Sequence, residues 1–402
     1  MIRCDGKRGN MMEQIRMVVI GFGGMGSQYA QMIADGEIEG MQLQGICCRN
    51  QAGQQRIREL YPEAAIYQNV EDTFAHAGDF DAVLIVTPHT THAEIGKLAF
   101  AHGKHVFCDK PAGISAREAK EFLEAKRDDT AFAMMFHNRK QPAFMKAKEI
   151  LENGELGRVT RAIWVCNNWF RSPVYHASAS WRSSWEGECG GLLINQCQHF
   201  LDIWQWLFGM PDVIDADLDF GKYNDFAVDD GADIRFLYHK EEGINSLGGQ
   251  RLFPGLRGSF ISASGENPGV NRLEIWGTRG CLTMNGGNVL TFDRNLADID
   301  TFNRENTEIY GQPKHQSEVL IGEQPVKLYV EMLQNFSDHI HKGVPLAATG
   351  EDGLNAILLT NAAYLSAWTG ERVKLPMDDE AYEALLAEKM QEEKNRKSLK
   401  KV

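Results

Sequence analysis

The chain has 402 residues, 43% of them hydrophobic, which is more than one core usually holds and points to two domains. Its 42 basic and 55 acidic side chains leave a formal charge of −13, which argues against a nucleic-acid surface. No run of about 20 apolar residues is present to span a bilayer, and the polar first residues do not read as a secretory signal.

The eight cysteines (4, 47, 48, 108, 166, 189, 197 and 281) include no CxxC and no zinc-site spacing. Several sit in apolar runs, as free buried thiols do, so a reducing, cytoplasmic setting and no metal are expected. Residues 1–14 read as a loose extension. Arg16–Ile20 then reads as a buried strand, followed at once by Gly21, Gly23 and Gly26 in GxGxxG spacing and by a helix-compatible run, SQYAQMI. Gly21 permits the tight turn, Gly23 lets backbone approach a pyrophosphate, and Gly26 lets the helix pack close. In that strand-to-helix context the stretch Gly21, Phe22, Gly23, Gly24, Met25, Gly26 is expected to bind a dinucleotide.

Strand Met41–Cys48, helix 51–60, strand Ala65–Tyr67 and helical Val70–His76 follow. Ala82–Val86 is apolar enough for a strand covered on both faces. It ends in TPHTTH, which places Thr87, Pro88, His89 and His92 at the cofactor edge. Helix Ala93–Ala101, strand 105–109, Lys110-Pro111, helix 115–127 and strand 130–136 complete a βαβ series. The expectation is a doubly wound parallel sheet, a Rossmann domain over 15–137. NAD-preferring folds usually carry an acid at the end of the second strand. Here the sequence is Cys47-Cys48-Arg49-Asn50. Arg49 suits a 2′-phosphate and Asn50 a ribose hydroxyl, so the cofactor is NAD or NADP with a lean to NADP.

After His137 the pattern changes. Helix 141–153, strand 157–170, a loop over 171–188 and an apolar helix 191–208 lead into strands and turns from 213 to about 330. Helices 326–341 and 351–369 follow. This predicts an α+β domain over 138–377 with a large, mostly antiparallel open sheet. A charged C-terminal tail, 378–402, ends the chain.

Several motifs resemble those of the Gfo/Idh/MocA oxidoreductases, the glucose–fructose oxidoreductase and inositol dehydrogenase family. They are GFGGMG at 21–26, TPHTTH at 87–92, GKHVFCDKP at 103–111, GELG at 154–157 and GGLLINQCQHFLD at 190–202. The resemblance spans roughly 15–375. It implies an open-sheet second domain that supplies the substrate pocket and an oligomer face, hence a homodimer or homotetramer. It also places Lys110 beside the nicotinamide, with Asp109 where Glu is usual and Pro111 commonly cis. The family's active-site helix usually offers Asp and, four residues on, His. Here those positions are Asn195 and His199, a departure that weakens the reading of an Asp–His relay.

Hydride transfer at a hydroxyl carbon needs a proton acceptor and donors around the oxygen. Positions i and i+4 share a helix face, so Asn195 and His199 should point together. His199 is the group nearest neutrality, and Lys110 would hold the oxygen or itself act as base if burial lowers its pKa. Asn195 cannot carry a proton and is assigned to substrate orientation. Asp202 is expected to be structural. Tyr175, His176, Trp181 and Arg182 are candidates for a sugar-pocket wall, with Arg182 for an anionic group. His137 and Arg139 are further pocket candidates. The implied function is NAD(P)-dependent oxidation or reduction at a secondary hydroxyl of a sugar, sugar derivative or cyclitol. Two alternatives stand beside it: a glycosidase or epimerase-like enzyme with retained NAD, and a non-catalytic NAD(P) sensor.

Overall fold

The computed structural model describes residues 13–245 and 247–399. Most of the expected N-terminal extension, and the last residues of the expected tail, lie outside them. Six parallel strands form the first sheet: β1 (Ile15–Ile20), β2 (Met41–Cys47), β3 (Ala65–Tyr67), β4 (Ala82–Ile85), β5 (His105–Cys108) and β6 (Phe132–Met134). Their order is β3-β2-β1-β4-β5-β6. Met17, Val18 and Val19 and all of β4 are fully buried, as strands covered by helices on both faces must be. The strand order reverses between β1 and β4, which opens a crevice at their carboxyl ends.

Nine strands form the second sheet: β7 (Val159–Cys166), β8 (Val213–Phe220), β9 (Asp229–Leu237), β10 (Arg257–Ala263), β11 (Asn271–Gly277), β12 (Gly280–Asn285), β13 (Val289–Asn295), β14 (His315–Ile321) and β15 (Val373–Lys374). Their order is β14-β13-β12-β11-β7-β10-β9-β8-β15, with β7 and β10 parallel and the other neighbours antiparallel. Burial alternates along β11, where Leu273 and Ile275 face the core and Arg272 and Glu274 face away. One face of this sheet is therefore core and the other outward. The two-sheet architecture is the one expected.

The apolar run 191–208 departs from expectation. It is broken into a short turn of helix, Leu192–Asn195, and a second helix, Gln198–Phe208. The break leaves the Asn195 carbonyl to accept a side chain, the Lys110 ammonium, at 2.7 Å. β14 and the helix Ile299–Glu305 lie in a stretch where sequence analysis placed no separate elements.

Helix Gly350–Thr369 ties the two sheets together. Thr349 caps it in a reciprocal box with Asp352, and pairs by an isolated bridge with Ala133 of β6. Further along, Asn361 Oδ1 accepts the Ala116 N–H at 2.8 Å, and Ser366 Oγ accepts the Ala216 N–H of β8 at 3.0 Å. The final helix, Asp379–Leu399, packs back on the fold: Tyr382 stacks on Trp368, and Glu393 accepts the Trp185 N–H at 2.8 Å. Among the described residues no helix is long and apolar enough to cross a membrane.

Candidate active site

The crevice beyond β1 and β4 is a cavity of about 1110 Å³. Its wall contains all fourteen residues expected to hold a cofactor: Gly21 to Gly26, Arg49, Asn50, Thr87, Pro88, His89, His92, Asp109 and Lys110. Gly21 has φ +106°, in the region that favours glycine, and a side chain there would strike the Val86 carbonyl. A side chain at Gly26 would strike the Gly21 carbonyl, whereas Gly23 and Gly24 face open space. The turn therefore closes tightly on the protein side and leaves bare backbone on the cavity side. Helix Gly24–Ala34 starts there, with unpaired first-turn N–H groups and no acid among them. These features fit a dinucleotide pyrophosphate.

Not every group in this wall is free. Asn50 Oδ1 caps helix Gln51–Leu60 by accepting the Gly53 N–H at 2.6 Å, so the expected ribose contact falls to its remaining amide donor. Both ring nitrogens of His92 are taken by backbone carbonyls, Pro111 at 2.8 Å and Thr87 at 2.7 Å. His89 is buried, with Nδ1 3.3 Å from the Glu188 carbonyl oxygen. Lys110-Pro111 is a cis peptide.

Lys110 follows β5 and points across to the broken helix. Its Nζ donates to the Asn195 carbonyl at 2.7 Å and to Asn195 Oδ1 at 2.9 Å. Burial pulls the Lys110 pKa down, with Asp109 and Glu188 pulling the other way. His199 packs edge-on against His137, ring centres 4.4 Å apart, and neither Nδ1 has a partner. Burial, then the neighbouring His137 and Lys110, hold His199 well below its usual pKa. Burial pushes His137 down to about 4. Both imidazoles are neutral at pH 7.

A second cavity, of about 420 Å³, adjoins the first and shares Lys110, Asn195, His199 and Tyr329 with it. Its other walls include six side-chain amides (Asn138, Gln141, Asn168, Gln196, Asn271 and Asn288), with Trp169, Tyr175, His137, Arg171 and the apolar Phe144, Phe200 and Leu328. The Tyr175 hydroxyl accepts from Arg182 at 2.9 Å, Gln196 at 3.2 Å and Asn195 at 3.3 Å. Its own O–H is left to donate.

Two expected pocket residues lie outside both cavities, and two more line the cofactor crevice instead. Arg139 is sealed in an ion triad: its guanidinium donates to both Asp202 oxygens at 2.9 and 2.6 Å, lies 2.7 Å from Asp352, and donates to the Ala347 carbonyl. A local sequence of His137-Asn138-Arg139-Lys140 gives no sign of carboxylates so distant along the chain. His176 bonds Ser183 Oγ and packs on Phe226, outside both cavities. Trp181 and Arg182 line the cofactor crevice rather than the amide-lined cavity. Arg182 is 3.9 Å from Glu188 and lies over the Tyr175 and Trp181 rings, so its charge is partly compensated.

Glu188, Arg171, Tyr329 and the amides other than Asn195 line or support the site without a motif in the sequence to mark them. Tyr329 comes from helix Leu328–Lys342, far along the chain, and Glu188 from an aperiodic loop. The run of Asn and Gln across separate elements carries no local pattern. Among the described residues no group of three or more His, Cys, Asp or Glu side chains converges as metal ligands would.

Known proteins resemble this chain over most of its length. Residues 15–137 match the profile described as an oxidoreductase family with an NAD-binding Rossmann fold, and residues 148–375 that family's C-terminal alpha/beta domain. Inositol 2-dehydrogenase of Rhizobium meliloti is 23% identical over 73% of this chain and 81% of its own length. The scyllo-inositol 2-dehydrogenase (NADP(+)) IolW of Bacillus subtilis is 24% identical over 87% of this chain and 93% of its own. Among solved structures, levoglucosan dehydrogenase in complex with NADH and levoglucosan superposes with a TM-score of 0.74 at 19% identity, covering 90% of this chain and 100% of that one. The WlbA dehydrogenase of Bordetella pertussis, with NADH and UDP-GlcNAcA, gives 0.71 at 21%, covering 91% and 100%.

Proposed function

The chain belongs to the Gfo/Idh/MocA oxidoreductase family, and on that premise we propose that it moves hydride between NAD(P) and a secondary hydroxyl or ketone of a sugar, sugar derivative or cyclitol. The observation that carries the reading is the shared wall: one cavity fits a dinucleotide, the other is lined with amides, and Lys110, Asn195 and His199 stand between them. Side-chain amides offer donors and acceptors without fixed charge, which suits a ring of hydroxyls. Trp169 and Tyr175 supply flat apolar faces for its carbons. Relatives named for inositol and levoglucosan oxidation point to the same substrate class.

A bound dinucleotide, its pyrophosphate at the Gly21–Gly26 turn and its far half along the Thr87–His89 edge, would supply the hydride acceptor or donor. Lys110, anchored on Asn195, presents its remaining N–H to the substrate oxygen and stabilises developing negative charge there. His199, a neutral imidazole in the wall shared by the two cavities, takes the hydroxyl proton in oxidation and returns it in reduction. Asn195 orients both Lys110 and the substrate. His137 and Tyr329 hold the His199 side of the pocket. With no acid at the end of β2 and Arg49 exposed at the cleft rim, NADP is the favoured cofactor.

The test is nicotinamide fluorescence with a panel of sugars and cyclitols, together with NADPH and NADH titrations. Lys110→Met should cut turnover by about 10²- to 10⁴-fold while cofactor affinity stays near wild type. Wild-type turnover in that variant, or a wild-type protein that binds neither nucleotide, would refute the reading.

A further inference from the structure

The loop before Leu192 carries a carboxylate to the far side of the Asn195 amide. Glu188 is 2% exposed. Its Oε1 accepts Asn195 Nδ2 at 2.6 Å, and its Oε2 accepts the Ser183 N–H at 2.7 Å. An ionised carboxylate can only accept, whereas a side-chain amide has one donating and one accepting end. The carboxylate therefore dictates how the amide sits: NH2 toward Glu188, Oδ1 toward Lys110. Lys110 can only donate while it is charged. The result is a directional chain from ammonium, through amide, to carboxylate.

We propose that Glu188 is a positioning residue that keeps Lys110 in its charged, oxygen-holding form, acting through the Asn195 amide. This rests on the role given to Lys110 above. Burial favours the neutral amine, so something must oppose it. Asp109 contributes from the same strand end, but one of its oxygens is turned to the Lys110 backbone N–H at 2.8 Å and the other lies 3.4 Å from the Tyr29 hydroxyl. Glu188 is the carboxylate with a bonded route to Nζ. The other groups around Lys110 do not replace it. Arg182 opposes the ammonium, the Cys197 thiol is held protonated by burial, and His89 and His199 are pushed toward the neutral form by burial and by Lys110 itself. His92 and His137 are buried as well. Glu188 in turn faces Arg182 and, from β9, Asp229, which is occupied by the Gly191 and Leu193 N–H groups and Tyr364. Burial pushes Glu188 up to about 7. On taking a proton it would lose its charge and its fixed claim on the amide.

The experiment is the pH dependence of Lys110 acetylation by acetic anhydride on the full chain, read by mass spectrometry. It needs neither substrate nor turnover. In Glu188→Gln the midpoint at which Lys110 becomes reactive should fall by about one pH unit. Glu188→Asp, which keeps the charge, should stay at the wild-type midpoint. Equal midpoints in wild type and Glu188→Gln overturn the proposal, as does an equal fall in the Asp and Gln variants. Should Glu188→Gln fail to fold, Asn195→Leu takes its place: removing the bridging amide must also lower the midpoint, and an unchanged value overturns the route. Failure of the hydride-transfer reading would appear separately, as absent cofactor binding by the wild-type protein.

Discussion

Replacing Arg139 by Met should cost stability rather than substrate affinity. The guanidinium is 4% exposed, its Asp202 partner 0% and its Asp352 partner 19%. Removing it leaves Asp202 with only Gln205, and Asp352 with Gln205 and its cap contacts to Thr349. Breaking one partner out of a buried ion pair costs about 3–5 kcal/mol, because a charge is left uncompensated. Methionine restores some packing volume but not the stacking over Trp206. The loss should depend on pH, and its sign follows from the carboxylates. In the wild type, burial already lifts Asp202 to about 6, while Arg139 holds Asp352 below its usual range. Without Arg139 both carboxyls rise above their unfolded values. A carboxyl raised on folding costs stability at high pH and is relieved as pH falls through its folded pKa. Urea denaturation should therefore show a deficit of about 3–5 kcal/mol at pH 8 that shrinks clearly by pH 5.5. KM for a working substrate should change little in whatever protein remains folded. A deficit below about 1 kcal/mol at pH 8, or one equal at both pH values, would refute this account of the triad.

The glycine turn gives a contrast between neighbours. Gly23→Ala meets nothing in the protein, so it should fold with a normal melting temperature but lose cofactor affinity, by about tenfold or more on titration, because the methyl fills ligand space. Gly26→Ala meets the Gly21 carbonyl and should lower the melting temperature itself; equal behaviour of the two variants would argue against a ligand at Gly23. The buried histidines make a pH prediction. His137, pushed to about 4, and His89 and His199, also lowered, stay neutral when folded but protonate near 6.5 when unfolded. Stability should thus be whole above about pH 6.5 and fall as pH drops toward 4, with His137 alone worth up to about 3 kcal/mol. A melting temperature flat across that window, or one whose slope is unchanged in His137→Gln, would contradict it.

The first sheet can be read from the sequence because its strands are short apolar runs punctuated by Gly, Pro and His. IRMVVI, AVLI and HVFC have no plausible place except a covered sheet. The outer edge of the second sheet cannot be read so easily. β14 is exposed over most of its length and carries no core-facing alternation. The break after Asn195 is hidden for the opposite reason. Apolar side chains continue on both sides of Gln196-Cys197 with no Gly or Pro, so local pattern reads one helix. Asn195 and His199 still reach the same wall, but because the chain bends there rather than by one helical turn. Arg139 and Glu188 mark the remaining limit. Whether an arginine greets substrate or closes an ion triad is decided by carboxylates on two other helices, and whether a loop glutamate matters is decided by what lies across from it.

Helix Gly350–Thr369 gives the architecture an evolutionary and practical corollary. Its N-terminus and middle are stitched to the dinucleotide domain, at Ala133 and at the Ala116 N–H, and its last turn to the second sheet, at the Ala216 N–H. An excised front half would lose the residues that pair with Ala133 and with the Ala116 N–H, and would expose the β6 edge to solvent. Cofactor preference in this scaffold is therefore better retuned by point changes at the end of β2 than by grafting a foreign nucleotide module.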